Sequence, residues 1–484
     1  MSCSRSGIDQ ENISAITVAE LLLEILSEEI PARMQAQAAA ALDSLVCDGL
    51  EDAGLKFKTS NNYVTPRRLI IVIDGLPIET PEIHKERRGP RTNAPKKAVQ
   101  GFLNSLGISA EDAEKRQTDK GEFYFAEINK KGESTFKLLP SLIETALQTL
   151  QWPKSMRWAD HSERWVRPIQ KIICLFDGVV VPVSYGSTKA DKYTIGHRFL
   201  TTALLEVRNF DDYKKSLEIA HVLIDPKERK ARIINEAKIL CNQENLVMAE
   251  DPMLLEEIAG LVEWPVVLMG SIDQEFMQLP PEVLRTTMRK NQKYFALETK
   301  DGEFAPKFIV VANRQSPDGG NAILLGNERV LRARLADAKF FWELDQRQSL
   351  ESRIPQLGNI IFHTKLGTLE EKMKRVEFIA LTIAKDTKAN EEMVKSASVL
   401  AKADLSTSMV TEFTDLQGIM GRYYALNDGK PVEVADAIAE HYSPQGPSDD
   451  CPVAPVSVTL ALAEKIDTLI GFWTINEKPT GSKD

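Results

Sequence analysis

The sequence predicts an α+β N-terminal region followed by an all-α C-terminal region. Two observations carry this prediction. Up to about residue 321, short runs rich in Val, Ile and Phe are interspersed with apolar patterns of helical period. Beyond that point strand signals stop, and apolar residues recur only at helical spacing. Strands and helices in irregular order are typical of α+β domains, whereas helices alone must bury their apolar faces against each other.

The first region, residues 18–321, is predicted to contain seven strands and five helices, in one or two subdomains. Ser27 is a suitable N-cap for the first helix, Pro31 fits its first turn, and Gly54 ends it. The predicted strands cover residues 19–26, 69–73, 123–128, 172–176, 179–183, 266–269 and 308–311. The predicted helices cover residues 28–53, 136–150, 225–241, 252–261 and 280–291.

The second region, residues 322–484, is predicted to be helical throughout. Residues 411–444 are expected to form two helices joined by a Gly-rich turn, and residues 443–455, with four prolines, a loop. The predicted helices cover residues 324–344, 366–384, 391–410, 432–441 and 456–472. Residues 1–17 are interpreted as a polar tail.

Composition indicates an ordinary globular protein of 484 residues, with 43% hydrophobic and 27% charged residues. No apolar run approaches the ~20 residues of a membrane span. The first 17 residues lack an apolar signal-peptide core, and Asp9 and Glu11 disfavour an organellar presequence. The five cysteines are widely spaced without a CxxC pair, which favours a reducing compartment. We therefore expect a cytoplasmic protein that is not bound to a membrane.

Positive charge is concentrated in one segment of an otherwise acidic chain. The net charge is −10, yet residues 84–97 (HKERRGPRTNAPKK) hold six Lys or Arg and one acid, Glu86. An acidic protein that gathers cations in one place often directs them at phosphate. The alternative is a solvated loop without a ligand. The sequence leaves both interpretations open.

The motifs of nucleotide activation are missing. The chain has no GxxxxGK[ST] phosphate loop, no GxGxxG turn, no HExxH and no GxSxG. We therefore expect no complete catalytic site for ATP-dependent chemistry on this chain alone.

Several strings combine Arg or Lys with aromatic or turn residues. They are TPRRL (65–69), PKSMRW (153–158), TIGHRF (194–199), MRKNQKYF (288–295), GNERVLRARLADAKFFW (326–342) and PTGSKD (479–484). Arg offers a planar fork for phosphate and a face for stacking, and aromatic rings can stack on unpaired bases. For any single string, core packing plus a surface charge is the better explanation of the pattern.

Together these strings, in this order, resemble the β subunit of bacterial glycyl-tRNA synthetase from about Leu21 to Asp484. The opening LLLEILSEEIPARM and the segment 411–444 also match the family pattern. The resemblance implies a cytoplasmic α2β2 glycine–tRNA ligase. In that family the α subunit forms glycyl-adenylate with ATP and Mg²⁺, and the β subunit holds tRNA(Gly). It implies no catalytic residue and no cofactor on this chain.

The resemblance also implies an anticodon-binding domain in family members, which continue beyond the PTGSKD at which this chain stops. We expect that domain to be absent here. The tRNA-binding hypothesis rests on seven arginines of the basic strings: Arg67, Arg68, Arg87, Arg88, Arg91, Arg157 and Arg198.

The helical region resembles the HD fold, which the β-subunit family contains. HD phosphohydrolases hold a metal with a His, a His-Asp doublet and a later Asp, a ligand set suited to activating water. The corresponding positions here are His363, Asp404, His441 and Asp467, but the doublet reads Ala403–Asp404. We expect a relic scaffold without a bound metal.

Two alternatives to the ligase-subunit hypothesis remain at this stage. One is an independent HD-type metal phosphohydrolase acting on nucleotide or RNA ends. The other is a non-catalytic RNA-binding protein with no synthetase partner.

Overall fold

The computed structural model describes residues 18–480 except 107–108, 110–112, 119–120, 161 and 448. The predicted polar tail lies outside the described residues. Contacts between residues divide the chain into two compact units, each made of three segments. Unit 1 comprises Met1–Glu236, Leu255–Val266 and Ala312–Gln315; unit 2 comprises Ala237–Leu254, Val267–Val311 and Ser316–Asp484.

Unit 1 is built on a seven-stranded sheet of order β2-β3-β1-β7-β10-β9, with β8 paired to β7. Strand β1, VAELLLEILS, is buried on both faces, as its near-continuous apolar run requires. Leu21, Leu23 and Ile25 belong to one core, with residues of helices α1 and α3. Leu22 belongs to a second core on the other face, with residues of helix α4. Helices therefore cover both faces of the sheet.

The strands of unit 1 are β1 (Val18–Ser27), β2 (Thr59–Val64), β3 (Arg68–Pro77), β4 (Ile83–Arg91), β5 (Glu114–Thr118), β6 (Gly121–Lys130), β7 (Ile169–Phe176), β8 (Val179–Val180), β9 (Ser184–Tyr185), β10 (Thr188–Asp191), β11 (Tyr193–Ile195) and β12 (Leu204–Glu206). The helices are α1 (Ala32–Asp52), α2 (Lys96–Leu106), α3 (Thr135–Thr149) and α4 (Phe210–Ile219). Helices α5 (Pro226–Gln243) and α6 (Pro252–Ala259) each contribute residues to both units. Strands β4, β6 and β5 form a separate three-stranded sheet in that order, and β11 pairs with β12.

Unit 2 contains a four-stranded sheet of order β13-β15-β16-β14 and a helical region. Its strands are β13 (Leu246–Met248), β14 (Val266–Ser271), β15 (Phe295–Thr299), β16 (Phe304–Ala312), β17 (Ile361–His363) and β18 (Gly367–Thr368). Of these, β14 and β16 each have one terminal residue, Val266 and Ala312, in unit 1. Its helices are α7 (Pro281–Thr286), α8 (Asn321–Asp345), α9 (Leu350–Arg353), α10 (Leu369–Ile383), α11 (Glu391–Leu400), α12 (Ser408–Glu412), α13 (Ile419–Asn427), α14 (Val432–Glu440) and α15 (Pro455–Thr474). A π-helical turn, Thr287–Gln292, follows α7.

The mixed first region and the helical C-terminal region are both confirmed. The prediction of helices alone after residue 321 is wrong in one place, because β17 and β18 pair as a short antiparallel hairpin. Their five residues are too few for a periodic signal. The HD-like character of the region stays a prediction.

The single helix predicted over 391–410 is also wrong. Helix α11 ends at Leu400, a 3-10 turn covers Ala403–Ser406, and α12 begins at Ser408 with the Thr407 side chain as its N-cap. The break places the Asp404 carboxylate where its Oδ2 accepts the backbone N–H groups of Gly418, at 2.5 Å, and Gly421, at 3.1 Å. These contacts are distant in sequence, so local periodicity does not reveal them.

Within the described residues, no helix is both long and apolar enough to cross a bilayer.

Candidate nucleic-acid interface

The basic segment of the sequence forms β4, an edge strand of the three-stranded sheet. Arg88 lies opposite Phe125 of β6, and Arg91 lies opposite Phe123. Directly opposed residues of antiparallel strands project to the same face. The solvated-loop interpretation of residues 84–97 is therefore wrong for the part that lies in β4.

A β-bulge brings both arginines to that face. From Arg88 to Arg91 the strand advances three residues while β6 advances two, and the register shifts there. In a regular strand, residues three apart point to opposite faces. The intervening Gly89 is tightly packed, because an added Cβ would lie 2.6 Å from the Phe102 ring of α2. Pro90, which has no N–H, is tolerated on an edge strand.

The resulting face combines aromatic rings with guanidinium groups. The guanidinium carbon of Arg88 lies 4.5 Å from the centroid of the Phe123 ring, and that of Arg91 lies 5.5 Å away. Among the described residues, neither arginine is paired with a carboxylate. Both are exposed. We call Arg88, Arg91, Arg116, Phe123 and Phe125 the arginine–phenylalanine face.

Arg116 of β5 completes this face, although the sequence analysis did not select it. Its guanidinium carbon lies 4.7 Å from the centroid of the Phe125 ring. Unlike the other two, it is held by carboxylates, with nitrogen–oxygen distances of 2.7 Å to Glu86 and 2.6 Å to Glu114. The sequence signal that could have identified Arg116 is the alternation of side chains in EKRQT, which is followed by the strand that begins GEFYF.

Arg87 lies on the opposite side of the same sheet. It pairs in register with Ala126, whereas its neighbour Arg88 pairs with Phe125. Arg87 is exposed. The structure thus divides the three arginines of the segment into a pair, Arg88 and Arg91, and a single residue.

Arg68 is not available to a surface ligand, so its assignment to tRNA binding is wrong. It is fully buried on β3, and its guanidinium contacts the carboxylates of Glu24 and Glu263. Burial alone would lower the pKa of Arg68, but Glu263 and Glu24 outweigh it and raise that pKa above its ordinary value. Arg67 is also nearly buried and donates to Gln170 Oε1 at 2.7 Å.

The last two predicted arginines lie apart from the arginine–phenylalanine face in sequence. Arg157 is exposed in the loop after α3. Arg198 is paired with Glu29 and, at 3.4 Å, with Glu28. Its guanidinium carbon lies 5.5 Å from the ring centroid of Phe199, a side chain that is 62% exposed. Both remain candidates for RNA contact.

The four HD-like positions of unit 2 are not arranged as ligands of one metal ion in the part of the chain that the structure describes. His363 Nε2 lies 3.3 Å from Glu477. Asp467 is bound by Arg375 at 2.6 Å and by Lys372 at 3.0 Å. Asp404 and His441 are fully buried. In the described part of the chain, no group of three or more His, Cys, Asp or Glu side chains is arranged to hold a metal ion.

Buried lysines provide the positive charge beside these acids. Lys372 and Lys402 each lie 3.4 Å from the same oxygen of Glu464, and Lys402 lies 3.7 Å from the centroid of the Tyr442 ring. Burial lowers the pKa of Lys402 to about 8 and raises that of Asp404 to about 6. Burial, followed by the charge of Lys402, holds the pKa of His441 well below its ordinary value. Ammonium groups beside the carboxylates do not fit a metal centre, and we derive no chemistry through one.

Comparison with known proteins shows the class of protein that this chain resembles. The similar proteins are subunits of an aminoacyl-tRNA ligase. The chain is 49% identical to the glycine–tRNA ligase beta subunit of Rhodospirillum centenum, 48% to that of a Ruegeria species and 47% to that of Paracoccus denitrificans. Each match covers 96% of this chain and 69% of the relative.

The family follows from the same comparison. The family model described as glycyl-tRNA synthetase beta subunit matches residues 21–484. The chain belongs to the family of glycyl-tRNA synthetase β subunits. The resemblance read from the sequence is confirmed, and the alternative of an independent phosphohydrolase has no support in these matches.

Proposed function

We propose that this chain holds tRNA(Gly) while a partner α subunit carries out the ATP-dependent activation of glycine. The assembly is a cytoplasmic α2β2 tetramer in this proposal. ATP and Mg²⁺ serve the holoenzyme, and no cofactor belongs to this chain. Family membership supports the division of labour, and the missing nucleotide-binding motifs agree with it.

One observation carries the tRNA-holding role: Arg88 and Arg91 converge on the Phe123 ring. Unpaired guanidinium groups at a surface lose little on meeting phosphate, because they break no ion pair. Each phosphate that they neutralise releases condensed counterions, which favours binding. The arginine–phenylalanine face is therefore the part of the described surface that we assign to tRNA.

The helical region has a supporting role in this proposal. We infer an HD-like scaffold in which Lys372 and Lys402 balance the charge of Glu464 and Asp467. With lysines beside the carboxylates, the scaffold needs no metal to satisfy them. It then serves to shape the subunit and not to hydrolyse phosphate esters.

The test is glycylation of tRNA(Gly) with purified α subunit and this chain, separately and together. Product is expected only with both chains, and glycine-dependent pyrophosphate exchange by this chain alone would contradict the proposal. In the complex, Arg88→Ala with Arg91→Ala should raise KM for tRNA and leave kcat and KM for glycine unchanged. Arg87→Ala, which removes one charge from the other face, is the matched control. An unchanged KM for tRNA in the double variant would remove the arginine–phenylalanine face from the proposal.

A further inference from the structure

The arginine–phenylalanine face carries planar groups as well as charge. Phe123 and Phe125 lie two residues apart on β6 and therefore project to the same side. A guanidinium carbon lies within 6 Å of the centroid of each ring, contributed by Arg88 and Arg91 at Phe123 and by Arg116 at Phe125. Guanidinium groups and aromatic rings are the two kinds of protein surface on which nucleobases stack.

The charge on this face is uneven across the sheet. Along β4, Arg88 and Arg91 have no carboxylate partner among the described residues. At the other end, Arg116 is enclosed by Glu86 and Glu114, so its charge is compensated. A phosphate backbone is therefore attracted to Arg88 and Arg91 and not to Arg116. Bases attached to that backbone can extend over the guanidinium planes.

The planes that a ligand can reach on this face are guanidinium groups. Phe123 is buried, at 9% exposed, and Phe125 is half-buried, whereas Arg88 and Arg91 are exposed. A base stacks on a guanidinium plane only through a face that no neighbouring base covers. Bases inside a continuous double helix are covered on both faces, whereas an unpaired nucleotide can present a free face.

We propose that the arginine–phenylalanine face binds unpaired RNA nucleotides, with phosphate at Arg88 and Arg91 and bases stacked on the guanidinium planes that lie over the phenyl rings. This inference rests on the proposed function and defines its substrate as a single-stranded or looped part of the RNA. It differs from recognition of helical RNA, which depends on shape and on backbone contacts.

The experiment separates the plane of arginine from its charge. The probes are a short single-stranded RNA containing 2-aminopurine and the same strand in a duplex, titrated into the protein at fixed salt. The key variant is Arg88→Lys with Arg91→Lys, which keeps both charges and removes both planes. It should bind the single strand about tenfold more weakly, the loss expected for stacking of one base. Its salt dependence should equal that of the wild type.

Two further measurements complete the test. Phe123→Leu keeps an apolar side chain and should weaken single-strand binding and reduce the change in 2-aminopurine fluorescence. Arg87→Lys, on the opposite face of the sheet, should behave as wild type. Circular dichroism of every variant confirms that the fold is retained. The inference is overturned if the double lysine variant binds the single strand like wild type, or if the duplex binds as tightly as the single strand.

The outcome also distinguishes this inference from the proposed function. If the double alanine variant raises KM for tRNA while the double lysine variant does not, the face contacts phosphate only. The tRNA-holding role then stands, and the unpaired-nucleotide inference fails. If both variants raise KM and only the lysine variant retains the salt dependence, both proposals are supported.

Discussion

Arg68 and Arg88 arise from similar local sequences and end in opposite environments. Each is the second member of an Arg-Arg pair at a strand. Arg68 lies on β3, between β2 and β1, in a sheet whose two faces are both buried. Arg88 lies on β4, at the edge of a smaller sheet. The first contacts two carboxylates, and the second contacts a ring and solvent.

The position of a strand within its sheet decides which partners an arginine on it can have. Inside the large sheet an unpaired guanidinium would lose its hydration, so Glu24 and Glu263 must accompany Arg68. At an edge strand water replaces the carboxylate, and the cation remains available to phosphate. Lys402 in unit 2 follows the first pattern, since it is buried beside Glu464.

The largest expected effect is the loss of the buried cation. Arg68→Met leaves Glu24 and Glu263 buried without their partner, which should lower the free energy of unfolding by about 3–5 kcal/mol. Arg87→Met, an exposed strand position, should change it by less than about 0.5 kcal/mol. Chemical denaturation measures both. A loss below about 1 kcal/mol for Arg68→Met would mean that the two carboxylates do not depend on this cation.

A smaller effect is expected from the pH dependence of Asp404. Its pKa in the folded protein, about 6, is above the ordinary value of 3.8 because of burial. Its contribution to stability is therefore complete below pH 3.8 and is lost as the pH rises through 6. Asp404→Asn keeps an oxygen that can accept from Gly418 and Gly421. Relative to this variant, wild type should lose on the order of 1–3 kcal/mol between pH 4 and 7.

Thermal or chemical unfolding at several pH values measures this difference. A flat difference between Asp404→Asn and wild type would show that the carboxyl is solvated in the folded protein.

The sequence predicted those elements whose own residues carry the apolar pattern. Strand β1 and helices α8 and α15 lie close to their predicted bounds, because long apolar periodicity determines them. The predicted start of α1 is wrong, since Ser27 belongs to β1 and the N-cap of the helix is Pro31. Strands β4 and β5 were missed because charged residues dominate them. Their pairing depends on β6, which supplies Phe123 and Phe125. A charged edge strand has no periodic signal of its own.

The sequence predicted that this segment is basic, but it did not predict which of its side chains share one face of the sheet. RRGPR indicated positive charge, but the placement of Arg88 and Arg91 on one face depends on the bulge, and Arg116 comes from another strand. Arg68 was misassigned because its partner Glu263 lies 195 residues away, and a local sequence pattern does not reveal such a pair. Lys372 and Lys402 were missed for the same reason, since Glu464 lies far along the chain.

Substitution of Gly89 in the bulge of β4 should change stability by an intermediate amount. A Cβ at Gly89 would lie 2.6 Å from the Phe102 ring, so Gly89→Ala should cost about 1–3 kcal/mol as overpacking. At Gly101 of α2 an added Cβ meets nothing within 4 Å, and Gly101→Ala should stabilise by about 0.5–1 kcal/mol. Thermal unfolding of the two variants shows whether the first destabilises the protein and the second stabilises it. Equal effects would mean that α2 does not pack on β4 as described.

The smallest expected effect on stability comes from removing the exposed arginines, Arg88 and Arg91. Their contribution is instead expected in the salt dependence of tRNA binding. If Arg88 and Arg91 each neutralise one phosphate of tRNA(Gly), log affinity should fall with log salt by about 0.7–0.9 per contact. Replacing both with Ala should therefore make the slope shallower by about 1.4–1.8. The expected change in stability is below about 0.5 kcal/mol, because both side chains are exposed and neither is paired with a carboxylate among the described residues. Fluorescence anisotropy across a salt series measures the slope. Arg87→Ala should leave it unchanged, and a slope that shifts equally in that variant would mean that RNA contacts both faces of the small sheet.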